Sequence, residues 1–177
     1  MISGSEDKTV RIWNISGRKD DTPTAETTED RRGTAVHICV DRKYVVTGHS
    51  DGGISVWGME AETMKGTELP GYHSQLNSVA TSSDKQYIIS GSSDSTNCIW
   101  NATTGMQEPY VLYGHEGWIY TVATSYNCRW FVSASEDGAP RLWKLPGGKV
   151  TEQPFVGHKD NATCALISSD DRFVVSG

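Results

Sequence analysis

Apolar residues come in short bursts along this chain, and the bursts recur. "KYVVTG", "QYIISG", "RWFVSA" and "RFVVSG" are β-branched or aromatic and close on small residues. "TVRIW", "GISVW" and "APRLW" alternate apolar and polar positions, as strands with one buried face do. "HICV", "NSVATS", "YTVATS" and "TCALISS" form a third set. A weaker fourth set, "EPYVLYGH" and "TEQPFVGH", runs into Gly-His. Tight turns such as "SSDS" and "SEDG" separate the segments, and no stretch carries a helical period. The pattern predicts an all-β chain with four short antiparallel strands per unit.

The units have a fixed length. Trp13, Trp57, Trp100 and Trp143 follow one another at steps of 44, 43 and 43 residues. An aspartate stands six residues before each, at Asp7, Asp51, Asp94 and Asp137. Four residues earlier again comes a hydroxyl, at Ser3, Thr47, Ser90 and Ser133, and that series continues to Ser176. Self-similarity at this period is the mark of a repeat architecture, in which each unit buries its apolar faces against its neighbours.

"ISGSEDKTVRIW" and "YGHEGWIYTVATS…FVSASEDGAPRLW" resemble repeats of the WD-repeat β-propeller family, and the resemblance covers nearly the whole chain. The Gly-His, Ser-x-x-x-Asp and terminal Trp marks occur in the family's order. The name-giving Trp-Asp pair never occurs, since the four tryptophans precede Asn14, Gly58, Asn101 and Lys144. The resemblance implies three complete four-stranded blades plus two half-blades. It divides the chain into residues 1–29 (late strands of one blade and an acidic connector), 30–70, 71–113 and 114–156 (three blades), and 157–177 (the first half of another). The two ends read as complementary halves of one unit. Such a chain is expected to be a piece of a longer propeller, to pair with another copy, or to close a four-bladed ring, and the sequence leaves all three open. Open blade edges would favour self-association.

Each full repeat carries a His, a Ser and an Asp, the ingredients of a hydrolase triad. An enzyme needs one such set, exposed and beside a pocket, whereas this chain repeats it with a Trp at fixed spacing. The family resemblance implies a structural relay instead: Asp to His, His to Ser or Thr, and Ser to the indole N–H. The residues are His73, Ser90, Asp94 and Trp100 in one blade, and His115, Ser133, Asp137 and Trp143 in the next. Thr47, Asp51 and Trp57 form a set without its His, because Asp30 stands at the position of His73. Ser3, Asp7 and Trp13 belong to the first partial blade, and His158 and Ser176 to the last. His37 and His49 lie outside the relay and are expected in core or turn roles. "RKDDTPTAETTED" fits either an outer edge strand or an acidic loop, Pro23 being tolerated in both. Pro140, placed inside a third strand, is expected to remove a ladder hydrogen bond.

Composition narrows the function. The formal charge is −6 and no basic block stands out, so a nucleic-acid footprint is not expected. No apolar run reaches membrane-spanning length, and no signal peptide is evident. The four cysteines, Cys39, Cys98, Cys128 and Cys164, form no C-x-x-C pair and no metal-ligand spacing, which fits reduced thiols in the cytoplasm. No metal or cofactor is implied. By resemblance the partners are other proteins or peptides, held at the face that bears the Gly-His loops. The residues implied there are Trp118 and Tyr120, with Gln75 and Asn77, Arg32 and Thr34, and Asn161 and Thr163 at matching positions. The residues before each network Asp, namely Glu6, Ser50, Ser93 and Glu136, face the same way. Trp118 lies outside the Trp series and is either a binding anchor or a packing residue against a neighbouring blade. Trp130 aligns with Tyr44, Tyr87 and Phe173 and is read as core. The function that emerges is a protein-interaction scaffold without catalytic activity. The alternatives are an enzyme built on a propeller, or the sensor region of a larger signalling NTPase whose catalytic part lies elsewhere.

Overall fold

A computed structural model describes residues 2–5, 7–13, 25–28, 31–39, 43–58, 66–69, 74–102, 106–145, 149–150 and 154–177. Among these residues all regular structure is β. β1 (Ile2–Gly4), β2 (Thr9–Ile12) and β3 (Ala25–Thr28) form a three-stranded antiparallel sheet. β4 (Gly33–Ile38), β5 (Tyr44–His49), β6 (Ile54–Gly58) and β7 (Gly66–Leu69) form the first complete sheet, in chain order. β8 (Leu76–Thr81), β9 (Tyr87–Ser92), β10 (Asn97–Asn101) and β11 (Met106–Leu112) form the second. β12 (Ile119–Thr124), β13 (Trp130–Ser135), β14 (Arg141–Lys144) and β15 (Lys149–Val150) form the third. β16 (Ala165–Ile167) and β17 (Val174–Ser176) make a two-stranded sheet. Within each sheet every strand pairs antiparallel with the next in the chain, a meander. Among the described residues the sheets do not join into a closed ring, so the architecture is a partial propeller.

Sheets stack face to face in chain order, each first strand against the first and second strands of the preceding complete sheet. The buried apolar residues therefore collect in the seams. Val46, Ile54 and Leu69 of the first sheet meet Leu76, Val79, Ile88 and Trp100 of the second. Ile89 and Ile99 of the second meet Ile119, Val122, Phe131 and Trp143 of the third. Val132 and Ala134 meet Ala162 and Ala165 beside the last sheet. At one recurring position side-chain sizes are matched across the seams. A β-carbon added to Gly48 would lie 2.9 Å from Val79 Cγ1 and 3.1 Å from Leu76 Cβ, and one added to Gly91 would overlap Ile119. One repeat on, Ala134 faces Ala162, both fully buried. A large residue on one side requires a glycine on the other, and two alanines share the same space.

Three sequence expectations change in detail. Pro140 sits just ahead of β14 rather than inside it, and the pair made at its position by Ile54 with Gly48 and by Asn97 with Gly91 is missing from the β13–β14 ladder, which starts at Arg141. The fourth strand of the third sheet is Lys149–Val150, upstream of "TEQPFVGH", while Phe155 N–H bonds Pro140 O at 2.8 Å. In the acidic connector, Ala25–Thr28 forms the outer strand β3, paired in register with Thr9–Ile12. Pro23 lies outside the described residues.

The backbone repeats as faithfully as the sequence. Lys85, Cys128 and Asp171, 43 residues apart, share the left-handed conformation at φ 63, 58 and 57° in the turn after each first strand. In the next turn, Gly52, Ser95 and Gly138 do the same at φ 87, 71 and 74°. Glycine adopts that conformation without strain, whereas a residue with a β-carbon holds it only because the surrounding turn fixes it.

Candidate functional site

The relay is complete in the third blade. Trp143 on β14 donates its indole N–H to Ser133 Oγ on β13 at 2.7 Å. Ser133 Oγ and His115 Nε2 are 2.7 Å apart, and His115 Nδ1 lies 2.7 Å from Asp137 Oδ2. A carboxylate only accepts, so Nδ1 carries the proton and Nε2 accepts from Ser133. Asp137 also receives Glu116 N–H at 3.1 Å and Ala139 N–H at 3.0 Å, which ties the Gly-His loop to the β13–β14 turn. Burial would raise the Asp137 carboxyl, but the hydrogen bonds from Ala139 N–H, His115 and Glu116 N–H together hold it below its ordinary value. Burial lowers His115 despite its bond to Asp137, which matches the neutral ring the geometry requires. Phe131 stacks on Trp143, with centroids 5.7 Å apart. Ser133 is fully buried and its oxygen already holds the indole proton, so this set lacks the exposed nucleophile of a hydrolase.

The other copies depart from it. In the first complete blade Trp57 Nε1–H bonds Thr47 Oγ1 at 3.0 Å. His49, from β5 itself, brings its Nε2 within 3.2 Å of Thr47 Oγ1 and 2.9 Å of Ser55 Oγ. Its position is occupied by Ser92 and Ser135 in the next two blades, whose hydroxyls instead bond the carbonyls of Gln75 and Gly117, both at 3.0 Å. Asp51, deprived of a His partner, holds Gly53 N–H at 3.0 Å and pairs with Arg31 at 3.4 Å. Arg31 also meets Glu68 at 2.6 Å, and Gly53 leaves the room its guanidinium needs. Sequence reading did not foresee this pair. Its signal is a cation next to the vacated His position. In the second blade Ser90 and Trp100 are fully buried, but Ser90 Oγ makes no hydrogen bond, so the expected link from the indole to Ser90 is not formed; Asp94 fixes the turn through Thr96 N–H at 3.0 Å. His73 lies outside the described residues, as do Asp30 and Glu6. Cys98 is buried there, and burial with the nearby Asp94 charge pushes its thiol up to about 12. Asp7 bonds Thr9 N–H at 3.0 Å and pairs with Arg11 at 3.5 Å, while the side chain of Ser3 is not described and Trp13 is half-buried. His158 Nε2 lies 2.8 Å from Ser176 Oγ, on the surface. His37 sits half-buried in β4, where burial lowers its imidazole.

The predicted partner residues gather at the end of each sheet that carries these loops. One backbone bond recurs at the period: Ser50 N–H to Arg32 O at 3.0 Å, Ser93 to Gln75 at 3.0 Å, and Glu136 to Trp118 at 2.9 Å. Beside it, the ladder between first and second strand slips by one residue in all three complete blades, leaving Thr34, Asn77 and Tyr120 as bulges. The slip turns two of these side chains toward the seam. Thr34 Oγ1 donates to Leu76 O of the following sheet, and Asn77 Nδ2 donates to Ile119 O at 3.0 Å. In the third seam Thr121 donates to Thr163 O at 2.9 Å. Thr34 and Asn77, expected as partner contacts, therefore join blades, because a hydrogen-bonding side chain at a bulge reaches the neighbour's first strand. Gln75, Arg32, Glu136 and Asn161 are exposed, Ser93 and Tyr120 are half-buried, and Thr163 bonds Gly177 O. Trp118 is 54% exposed, whereas Trp57, Trp100 and Trp143 are 7%, 0% and 1% exposed.

Stacked four-stranded sheets at a fixed period, each with a buried indole at the same place and one with a complete relay, define a partial β-propeller. Residues 1–14, 64–101 and 106–144, together just over half the chain, match the family model described as WD domain, G-beta repeat. The chain belongs to the WD-repeat family. No curated protein matches it significantly. Among the described residues no cluster of His, Cys, Asp and Glu is placed to hold a metal ion, and no helix is long and apolar enough to cross a membrane.

Proposed function

We propose that this chain is a protein-interaction module that binds a peptide or protein segment across its loop face, with Trp118 as the anchor. Repeats of this family generally mediate protein–protein contacts and are usually non-catalytic. The observation that carries the reading is the exposed Trp118 indole, since every other tryptophan of the complete blades is buried or half-buried. Its backbone is held from both sides by Glu136, whose carboxylate accepts Trp118 N–H at 3.3 Å. A large aromatic on a rigid backbone loses little freedom on binding, which is why such residues dominate binding energies. Thiols at Cys128, half-buried, and Cys164, exposed, support a cytoplasmic setting.

Selection of peptides from a random displayed library on the immobilised chain tests this. Selected peptides are expected to lose more than roughly tenfold in affinity for Trp118→Ala, equivalent to about 1.4 kcal/mol or more. The melting temperature is expected to stay put. Equal binding to the variant, or a melting temperature that drops while binding survives, sinks the anchor assignment.

A further inference from the structure

The seam between the first two complete blades is not filled at the end away from the loop face. A cavity of about 400 Å3 opens there, walled by Val46 and Leu69 on one side and Ile88 and Ala102 on the other. The next seam shows what is missing. Phe131 and Leu145 stand 43 residues on from Ile88 and Ala102, and they are 0% and 3% exposed. The backbone positions are equivalent, since Ala102 N–H bonds Gln86 O at 2.8 Å and Leu145 N–H bonds Arg129 O at 2.7 Å. An alanine and an isoleucine thus occupy sites that a leucine and a phenylalanine fill one blade later.

A second observation points into the same space. Thr124 Oγ1 crosses the later seam to Thr81 O at 2.9 Å. Thr81 lines the cavity and is 4% exposed, and its equivalent hydroxyl, Oγ1, makes no hydrogen bond. A buried hydroxyl without a partner is disfavoured and asks for an explanation. Lys85, which also lines the cavity, lies in the turn four residues on from Thr81, with an exposed side chain. Thr81 and Lys85 therefore stand together at one end of a mostly apolar space.

We propose that this cavity is a small-molecule site for an apolar organic acid. The hydrocarbon body lies between the sheets against Val46, Leu69 and Ile88. One carboxylate oxygen accepts the Thr81 hydroxyl proton, and Lys85 balances the charge. The volume falls in the ordinary range of ligand pockets, with a greasy wall and a few convergent polar groups. The site is independent of the loop face and of Trp118.

Titration calorimetry of the chain with octanoate tests the proposal. One saturable site is expected. Ala102→Leu, which restores the side chain of the later seam, is expected to abolish octanoate binding while the melting temperature holds or rises. Thr81→Val is expected to weaken octanoate roughly fivefold, the scale of one net hydrogen bond. Lys85→Gln is expected to weaken octanoate but not octanol. No binding of octanoate to the unmodified chain at millimolar concentration overturns the proposal. So does undiminished binding by Ala102→Leu, which would put octanoate elsewhere. If Ala102→Leu fails to fold, unchanged affinity in Thr81→Val overturns it instead.

Discussion

At the scale of single residues the relay is a proton-placement problem with one solution. Asp137 can only accept, Trp143 can only donate, and His115 and Ser133 each do both, so the chain of bonds has a fixed direction. Asp137→Ala leaves His115 Nδ1–H and two backbone N–H groups without their acceptor, and is expected to cost about 1–3 kcal/mol in urea unfolding. Acid should act on the same groups. His115 titrates lower folded than unfolded, so as pH falls below about 6.5 the unfolded chain takes the proton first and stability declines. Asp137 also titrates lower when folded, so its contribution is present above the unfolded value near 4 and is lost as pH falls through the folded one. His37 contributes to the upper window, and Asp7 and Asp170 to the lower. Unfolding measured across pH should therefore show a shallower upper limb in His115→Gln and a shallower lower limb in Asp137→Asn. An unaltered profile in both variants would mean the relay is not coupled to folding.

At the scale of elements the strands were legible because each is a short apolar burst repeated at one period. Repetition turned weak signals into strong ones, as with the second strands that begin at Tyr44, Tyr87 and Trp130. What stayed hidden depends on one strand meeting another. The bulges at Thr34 and Asn77 hide because no local pattern announces a one-residue slip, and the slip sends their side chains to the next blade. The Arg31–Asp51 pair hides because it joins different strands' ends. The cavity hides because it is a deficit of volume shared by two sheets, visible only when Ala102 is set beside Leu145. Volume matching also gives a test. Gly91→Ala is expected to cost about 1–3 kcal/mol by driving a methyl into Ile119. Combined with Ile119→Ala it should cost less than the two changes summed, because Ala134 and Ala162 show that pairing to be packable. Strict additivity in that cycle would refute the size-matching account.

At the scale of the molecule the outward face of each complete sheet is covered by the next sheet. Val46, Ile89, Val132 and Val175 stand 43 residues apart, and the first three are 1%, 0% and 0% exposed. Val175 is 66% exposed, and so are its register partner Leu166 at 64% and nearby Phe173 at 59%. The equivalent faces upstream are core, so this one should attract a second copy. Sedimentation of the chain is expected to show concentration-dependent association, reduced in Leu166→Lys with Val175→Lys, and a monomer at all concentrations would refute it. The seams differ in another respect. Thr34 pins the first complete blade to the second at the loop end, but at the far end Thr81 makes no bond to match that of Thr124. Under tension such an assembly does not shear evenly. The first seam should gape at its far end and pivot about the Thr34 pin, like a door on a single upper hinge.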